Sequence, residues 1–158
     1  RDSTRVEAGI PLFGHELAGD LAVSAAEAGY PFVTRFDKPF FIGRTRVHRR
    51  LRHSTRHLLR LRGRGRKTLR PGPVLLDEND AVVGRTTSFA YVHPDRTFIV
   101  LACVDGDFRP EPGSRVTGVR MTAETYPGVA EDRRRVELEV MTRFPTSAER
   151  DAWRSRYT

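Results

Sequence analysis

Asp77-Glu78-Asn79-Asp80, followed by Ala81-Val82-Val83-Gly84-Arg85-Thr86-Thr87-Ser88, is the stretch on which the fold turns. Four polar, turn-favouring residues give way to a run rich in β-branched side chains, the pattern of a hairpin turn entering a strand. The same alternation of turn and strand repeats on either side. Upstream, Arg70-Pro71-Gly72-Pro73 turns the chain into Val74-Leu75-Leu76, and His57-Leu58-Leu59-Arg60-Leu61-Arg62 opens the series. Downstream, His93-Pro94-Asp95 precedes a strongly apolar strand from Thr97 to Val104. Pro110-Glu111-Pro112-Gly113 then precedes Ser114 to Arg120, and Arg135 to Phe144 alternates apolar and charged residues. Six short strands at this spacing predict a small antiparallel barrel or sandwich.

Ahead of His53 the texture differs. From Glu7 to about Arg52 the pattern is helical, interrupted by turns. The alanine-rich stretch Glu16 to Ala28, with Leu17, Leu21, Val23 and Ala28 as apolar positions, predicts a helix stopped by Gly29. Tyr30 to Phe36 reads as extended, and Pro39 to Gly43 leads into a short basic helix, Arg44 to Arg52, with Val47 and Leu51 at helical spacing. A terminal helix over Ser147 to Trp153 completes the outline.

The 158 residues, 38% hydrophobic and 30% charged, suit one ordinary domain or a small domain with an appendage, and not a disordered chain. No apolar run approaches the roughly 20 residues that cross a bilayer. The opening Arg1 to Glu7 is charged and lacks the apolar core of a secretory signal. The single cysteine, Cys103, cannot make an internal disulfide, which fits a reducing cytoplasm. Net charge is +8, carried almost wholly by arginine, Lys38 and Lys67 being the only lysines. The chain opens without methionine inside a helical pattern, so it is expected to be a fragment, a processed product or one subunit of a split protein.

Three segments carry more specific information. Arg1 to Leu17 matches the pattern ARDSLRLEAG-x-x-LYG-x-E-L. Glu27-Ala28-Gly29-Tyr30 with Asp37 to Arg44 matches EAGLG followed by K-x-DFIGR, and Arg70-Pro71-Gly72 with Val83 to Ser88 matches an R-x-G and G-x-VTS hairpin. In this order the three resemble the T-protein (aminomethyltransferase) family, the folate-dependent enzymes of glycine cleavage and their demethylase relatives. The resemblance implies an α+β chain: residues 1–53 as the end of an α/β folate-binding body, 54–146 as a small antiparallel six-stranded β-barrel, and 147–158 as a terminal helix or tail. It implies a C-terminal module or small subunit of a transferase that moves a one-carbon unit from an amine, ether or thioether donor to tetrahydrofolate. The equivalent module of sarcosine or dimethylglycine dehydrogenases is a variant within the same resemblance.

The family's catalytic aspartate and most of its pterin pocket belong to the body that precedes these segments. The chain alone is therefore expected to be inactive, and a partner chain carrying the body is expected to pair with it through an apolar interface around Arg1 to Phe41. One family contact with folate falls at Arg1, whose planar guanidinium suits the carboxylate of a glutamyl tail. Arg5, one turn on, reads as structural. A family tyrosine near the C-terminus has no matching surroundings at Tyr157, so its role is not carried over. The glycine after VTS is replaced by Phe89, which bears on the turn after the strand. The iron–sulfur assembly relatives carry K-G-C-x-x-G-Q-E where this chain has Lys38 to Arg44 without cysteine.

Between Lys38 and Leu76 there is no acid, while Arg44, Arg46, Arg49, Arg50, Arg52, Arg56, Arg60, Arg62, Arg64, Arg66, Lys67 and Arg70 all fall there. Such a run is a footprint of nucleic-acid binding, but few aromatics interleave to stack on bases. A solvated face, or a dock for an acidic partner protein or an anionic substrate, is the stronger reading, and the resemblance adds a lipoyl carrier protein as a candidate. A non-catalytic basic barrel module remains the alternative. His48, His53 and His57 lack the Cys, Asp or Glu that completes a zinc set. Cys103 reads as packing, Asp105, Asp107 and Glu111 as solvated turn acids, and Gly63 to Lys67 lacks the strand–loop–helix setting of a phosphate loop.

Overall fold

The computed structural model describes residues 2–17, 21, 23–65, 69, 72–92, 96–120 and 134–157. Among these, six strands form: β1 Arg56–Arg64, β2 Val74–Leu76, β3 Val82–Val92, β4 Thr97–Asp105, β5 Arg115–Val119 and β6 Arg135–Val140. All neighbours are antiparallel and the sheet closes on itself in the order β1-β4-β3-β2-β5-β6. The barrel, and not the sandwich, is the architecture. Closure abolishes the free edges that an open sheet of this size would expose. The seam between β1 and β6 is short, pairing Leu61 with Val140 and Arg62 with Glu139.

Leu59, Leu61, Leu75, Phe98, Val100 and Leu138 fill the interior. Each large apolar side chain taken out of water contributes about 1.5–3 kcal/mol. Gly63 lies opposite Phe98 across the β1–β4 ladder, and a Cβ there would sit 2.1 Å from the Phe98 ring. The glycine is therefore the space into which that ring packs.

β4 is buried from Phe98 to Val104 without alternation, which explains its unbroken apolar sequence. Its inward residues face the barrel core, and its outward ones are covered by the N-terminal segment. The first helix, α1 (Asp2–Glu7), sets Val6 against Ala90, Val92, Ile99 and Leu101. Val23 and Ala28 cover Leu58 and Cys103. The second helix, α2 (Arg44–Arg52), buries no residue. The third, α3 (Ser147–Tyr157), starts from a capping box in which Thr146 Oγ1 accepts from the Glu149 amide at 3.2 Å and Glu149 accepts from the Thr146 amide at 2.8 Å.

Two sequence expectations fail in the N-terminal segment. The described part of Glu16 to Ala28 holds turns and no helix. A single turn is bracketed by Ser24, which exchanges hydrogen bonds with Glu27, and by Gly29 at φ +87°. Start and stop signals stand so close together that only one turn fits between them, whatever the alanine content. Tyr30 to Phe36, read as extended, instead contains a 3-10 turn at Pro31–Val33, where proline supplies the first position. Strand β3, by contrast, runs four residues beyond the expected Ser88, to Val92.

Candidate functional site

The chemistry-bearing side chains gather where the N-terminal segment meets the barrel wall. A β-bulge between Thr86 and Ser88 inserts Thr87 into β3, where its hydroxyl donates to the Leu101 carbonyl at 3.0 Å. The inserted residue changes the facing of everything after it. Ser88 comes to lie opposite Leu101 on the outer wall, and its hydroxyl donates to Glu16 Oε1. Glu16 is fully buried, accepts the Leu12 amide at 2.9 Å and lies 3.5 Å from the Arg5 guanidinium. Arg5 also donates to Ser88 Oγ at 3.0 Å, so carboxylate, hydroxyl and guanidinium form one closed network.

A second clasp is built on Arg143. Its Nε and Nη2 donate to the Ala28 carbonyl at 3.1 and 2.7 Å, and its Nη1 donates to the Gly9 carbonyl at 2.6 Å. The guanidinium also stacks over Phe144, 4.8 Å from the ring centroid. Gly9 (φ +71°) and Gly29 (φ +87°) end the two Glu-Ala-Gly tripeptides, and a Cβ would stand 2.7 Å from Arg143 at Gly9 and 3.1 Å from it at Gly29. Both glycines are thus required twice, by backbone conformation and by closeness to the same side chain. Burial lowers the Arg143 pKa, with Arg60 nearby working in the same direction.

Beside this clasp lies a cleft of about 450 Å³, lined by Glu27, Arg50, His57, Arg60, Arg109 and Arg143 among others. Glu27 accepts from Ser24 Oγ at 2.7 Å and pairs with Arg50 at 3.2 Å. Burial, helped by the Arg109 charge, holds the His57 imidazole below its ordinary value of 6.5. The unfolded chain therefore takes up a proton at His57 at higher pH than the folded one. Stability from this group is full above about pH 6.5 and is lost as pH falls through the lowered folded value. The expected result is a thermal midpoint that declines from pH 6.5 downward more steeply in the wild type than in His57→Asn, measured by circular dichroism melts; parallel slopes would refute it.

No protein-family model matches the chain. Aminomethyltransferase from Mycobacterium tuberculosis is 38% identical over 117 residues, 73% of this chain and 31% of that protein. Aminomethyltransferases from Mycobacterium leprae and Cutibacterium acnes are 33% identical over 117 residues and 36% over 107 residues. The chain resembles the C-terminal part of the aminomethyltransferase family. It spans about a third of the length of the curated relatives it matches, 31% of those from the two mycobacteria. The fold agrees: the glycine cleavage system aminomethyltransferase T from Bartonella henselae superimposes with a TM-score of 0.71, over 89% of this chain and 36% of that one, at 21% identity.

Two of the three aminomethyltransferase-like segments meet at the clasps, and the third supplies the bulge that completes the first of them. The opening segment provides Arg5, Gly9 and Glu16, the second provides Ala28 and Gly29, and the hairpin provides Thr86-Thr87-Ser88. Arg5, expected to be structural, bonds to Ser88 and to the Ile10 carbonyl and lies beside Glu16. Arg1 itself and the Tyr157 side chain lie outside the described residues. Phe89 does not turn the strand; its ring packs inside the barrel 5.4 Å from that of Phe98.

The basic run divides on folding. Arg50, Arg60 and Arg62 pair with Glu27, Glu149 and Glu139, and Arg56 donates to the Leu21 carbonyl, while Arg46, Arg49 and Arg52 stay exposed on α2. The three histidines also separate in role. His48 packs edge-on against Phe36, the His53 amide closes α2 on the Arg49 carbonyl, and His57 lines the cleft. Among the described residues no group of three or more His, Cys, Asp or Glu could hold a metal ion. Cys103 is buried beside Leu58, and burial pushes its thiol pKa up. No described helix is long and apolar enough to cross a membrane.

Sequence reasoning missed Glu16, Arg60 and Arg143. Arg60 occupies an outward position on β1, where alternation suggests solvent, but the appended segment covers it to 1% exposure. The repeated Glu-Ala-Gly was the one available signal for a shared anchor at Arg143.

Proposed function

We propose that the chain is the C-terminal module of a tetrahydrofolate-dependent aminomethyltransferase, with residues 54–146 as the barrel and 1–53 as the end of the folate-binding body. The 38% identity to the Mycobacterium tuberculosis aminomethyltransferase over 117 residues carries this reading. In it, tetrahydrofolate accepts a one-carbon unit from an amine, ether or thioether donor held close by, so that proximity and orientation supply much of the acceleration. Arg1 contributes a guanidinium for a folate carboxylate. The remainder of the body, with the catalytic aspartate, is provided by further polypeptide.

A second observation supports that division. Phe13, Phe32, Phe40 and Ile42 are 79%, 69%, 77% and 93% exposed, and all precede the barrel. Large side chains left in water over one segment mark a surface that another polypeptide covers. The exposed Arg46, Arg49 and Arg52 of α2 offer a landing face for an acidic carrier protein. A buried, unpaired Cys103 fits a cytoplasmic protein.

The test is reconstitution. The chain alone is expected to show no one-carbon transfer, and the chain combined with an aminomethyltransferase N-terminal body is expected to restore it. Arg1→Ala in that complex should weaken tetrahydrofolate binding about tenfold, the scale of one charge-assisted pair. Turnover by the isolated chain, or a complex indifferent to Arg1→Ala, would overturn the assignment.

A further inference from the structure

Arg60 is the most unusual side chain in the molecule. It projects from the outer wall of β1, yet its side chain is only 2% exposed. Its Nη2 donates to Glu149 at 3.0 Å, while Nε and Nη1 are buried with no hydrogen-bond partner among the described residues. His57 Nδ1 is buried and unpartnered in the same way. Buried N–H donors are nearly always satisfied, and a guanidinium nitrogen can only donate. Both Arg60 and His57 line the 450 Å³ cleft, and Arg60 also borders a second cleft that holds Glu7 and Glu149.

The charges around that cleft are unbalanced. Its lining includes Arg50, Arg60, Arg109 and Arg143 against a single carboxylate, Glu27. Glu27 is already committed to Ser24 and Arg50. Arg143 spends its donors on the neutral carbonyls of Gly9 and Ala28, so its charge gains no carboxylate from those bonds. Arg60 shares Glu149, which sits on α3 and is 26% exposed. Among the described residues, the lining of this cleft carries more positive charge than negative.

We propose that this cleft binds a small oxyanion, a carboxylate or a phosphate group, which accepts from Arg60 and lies within the fields of Arg109 and Arg143. An oxyanion supplies acceptors for the vacant donors and offsets the cationic lining in one step. His57, neutral near pH 7, takes part through its free Nδ1: it gains a proton, or presents its N–H, when the anion enters. The site uses neither folate nor a partner chain, so it stands or falls separately from the one-carbon reading.

The experiment is calorimetric titration of the full 158-residue chain with inorganic phosphate, and separately with succinate, in low-salt buffer. Saturable single-site binding of at least one anion is expected, weakened at least tenfold in Arg60→Met and several-fold in Arg109→Ala. Arg109 is exposed, so its replacement keeps the site testable should Arg60→Met fail to fold. The His57 imidazole, followed by NMR, should titrate at higher pH in saturating anion. Preference for phosphate assigns a phosphoryl ligand and preference for succinate a carboxylate. Absence of saturable binding by both, equal binding by wild type and Arg109→Ala, or an unmoved His57 titration would each overturn the site.

Discussion

Arg143→Met is expected to release the N-terminal segment from the barrel and to lower stability by roughly 3–5 kcal/mol, the range seen when a buried, hydrogen-bonded charged anchor is removed. Three donors leave at once, and the carbonyls of Gly9 and Ala28 lose them. Methionine keeps much of the apolar stem, so lost packing is a minor part of the effect. Urea denaturation gives the magnitude, and limited proteolysis gives the location: new cleavage should appear ahead of His53 while the barrel resists. A midpoint shift worth less than about 0.5 kcal/mol, the size of an ordinary surface change, would show that Arg143 is no anchor.

Glu16→Gln is expected to be comparably severe, at about 3–5 kcal/mol, although it alters a single atom. The carboxylate is fully buried and serves Leu12, Ser88 and Arg5 together. An amide can accept only through its oxygen, and its nitrogen then opposes one of these donors. Arg5, whose side chain is 11% exposed, loses the Glu16 charge beside it. Ser88→Ala should cost less, about 1.5–3 kcal/mol, the scale of hydrogen bonds to charged groups, since both charges stay in place. The discriminating measurement is a double-mutant cycle with Arg5→Met. The pair should lose much less than the sum of the two single variants, because removing both charges spares the burial of either alone. Additive losses would mean that the two side chains act independently.

The barrel was readable because each of its strands carries its own evidence. Proline, glycine and acidic clusters mark the turns, and β-branched runs mark what lies between. Strand β2 and helix α2 fall on the residues expected, Val74–Leu76 and Arg44–Arg52. The strand pattern alone left barrel and sandwich open, since closure depends on β1 meeting β6 across the whole domain, and it was the family resemblance that predicted the closed barrel. The N-terminal segment misled for a different reason. Its apolar residues look like one face of a helix, but they answer to the curved wall of the barrel, which Val6, Val23 and Ala28 touch from separate turns. Periodicity records an element's own geometry and fails where the partner surface dictates the spacing. The candidate site was half legible. The aminomethyltransferase-like motifs contain Arg5, Gly9, Gly29 and Ser88, but the residue they singled out was Arg1, which lies outside the described residues; Arg60 and Arg143 sit in ordinary-looking strand and loop sequence and acquire meaning only from what covers them.

The seam has a consequence for how the domain can be divided. Strand β1 is joined along one edge to β4 over its entire length, from Arg56 to Arg64, but along the other to β6 at only Leu61 and Arg62. A polypeptide ending before Arg135 would keep the long β1–β4 pairing and lose the short seam, together with the β5–β6 ladder and the core side chains of Val136, Leu138 and Val140. It would leave β1 with a bare row of amides and carbonyls beside the apolar interior, a template for strand addition by a second copy. Truncation at this end would therefore open the barrel along β1 and β5 at once, and the last strand is what keeps both edges from pairing with a second copy.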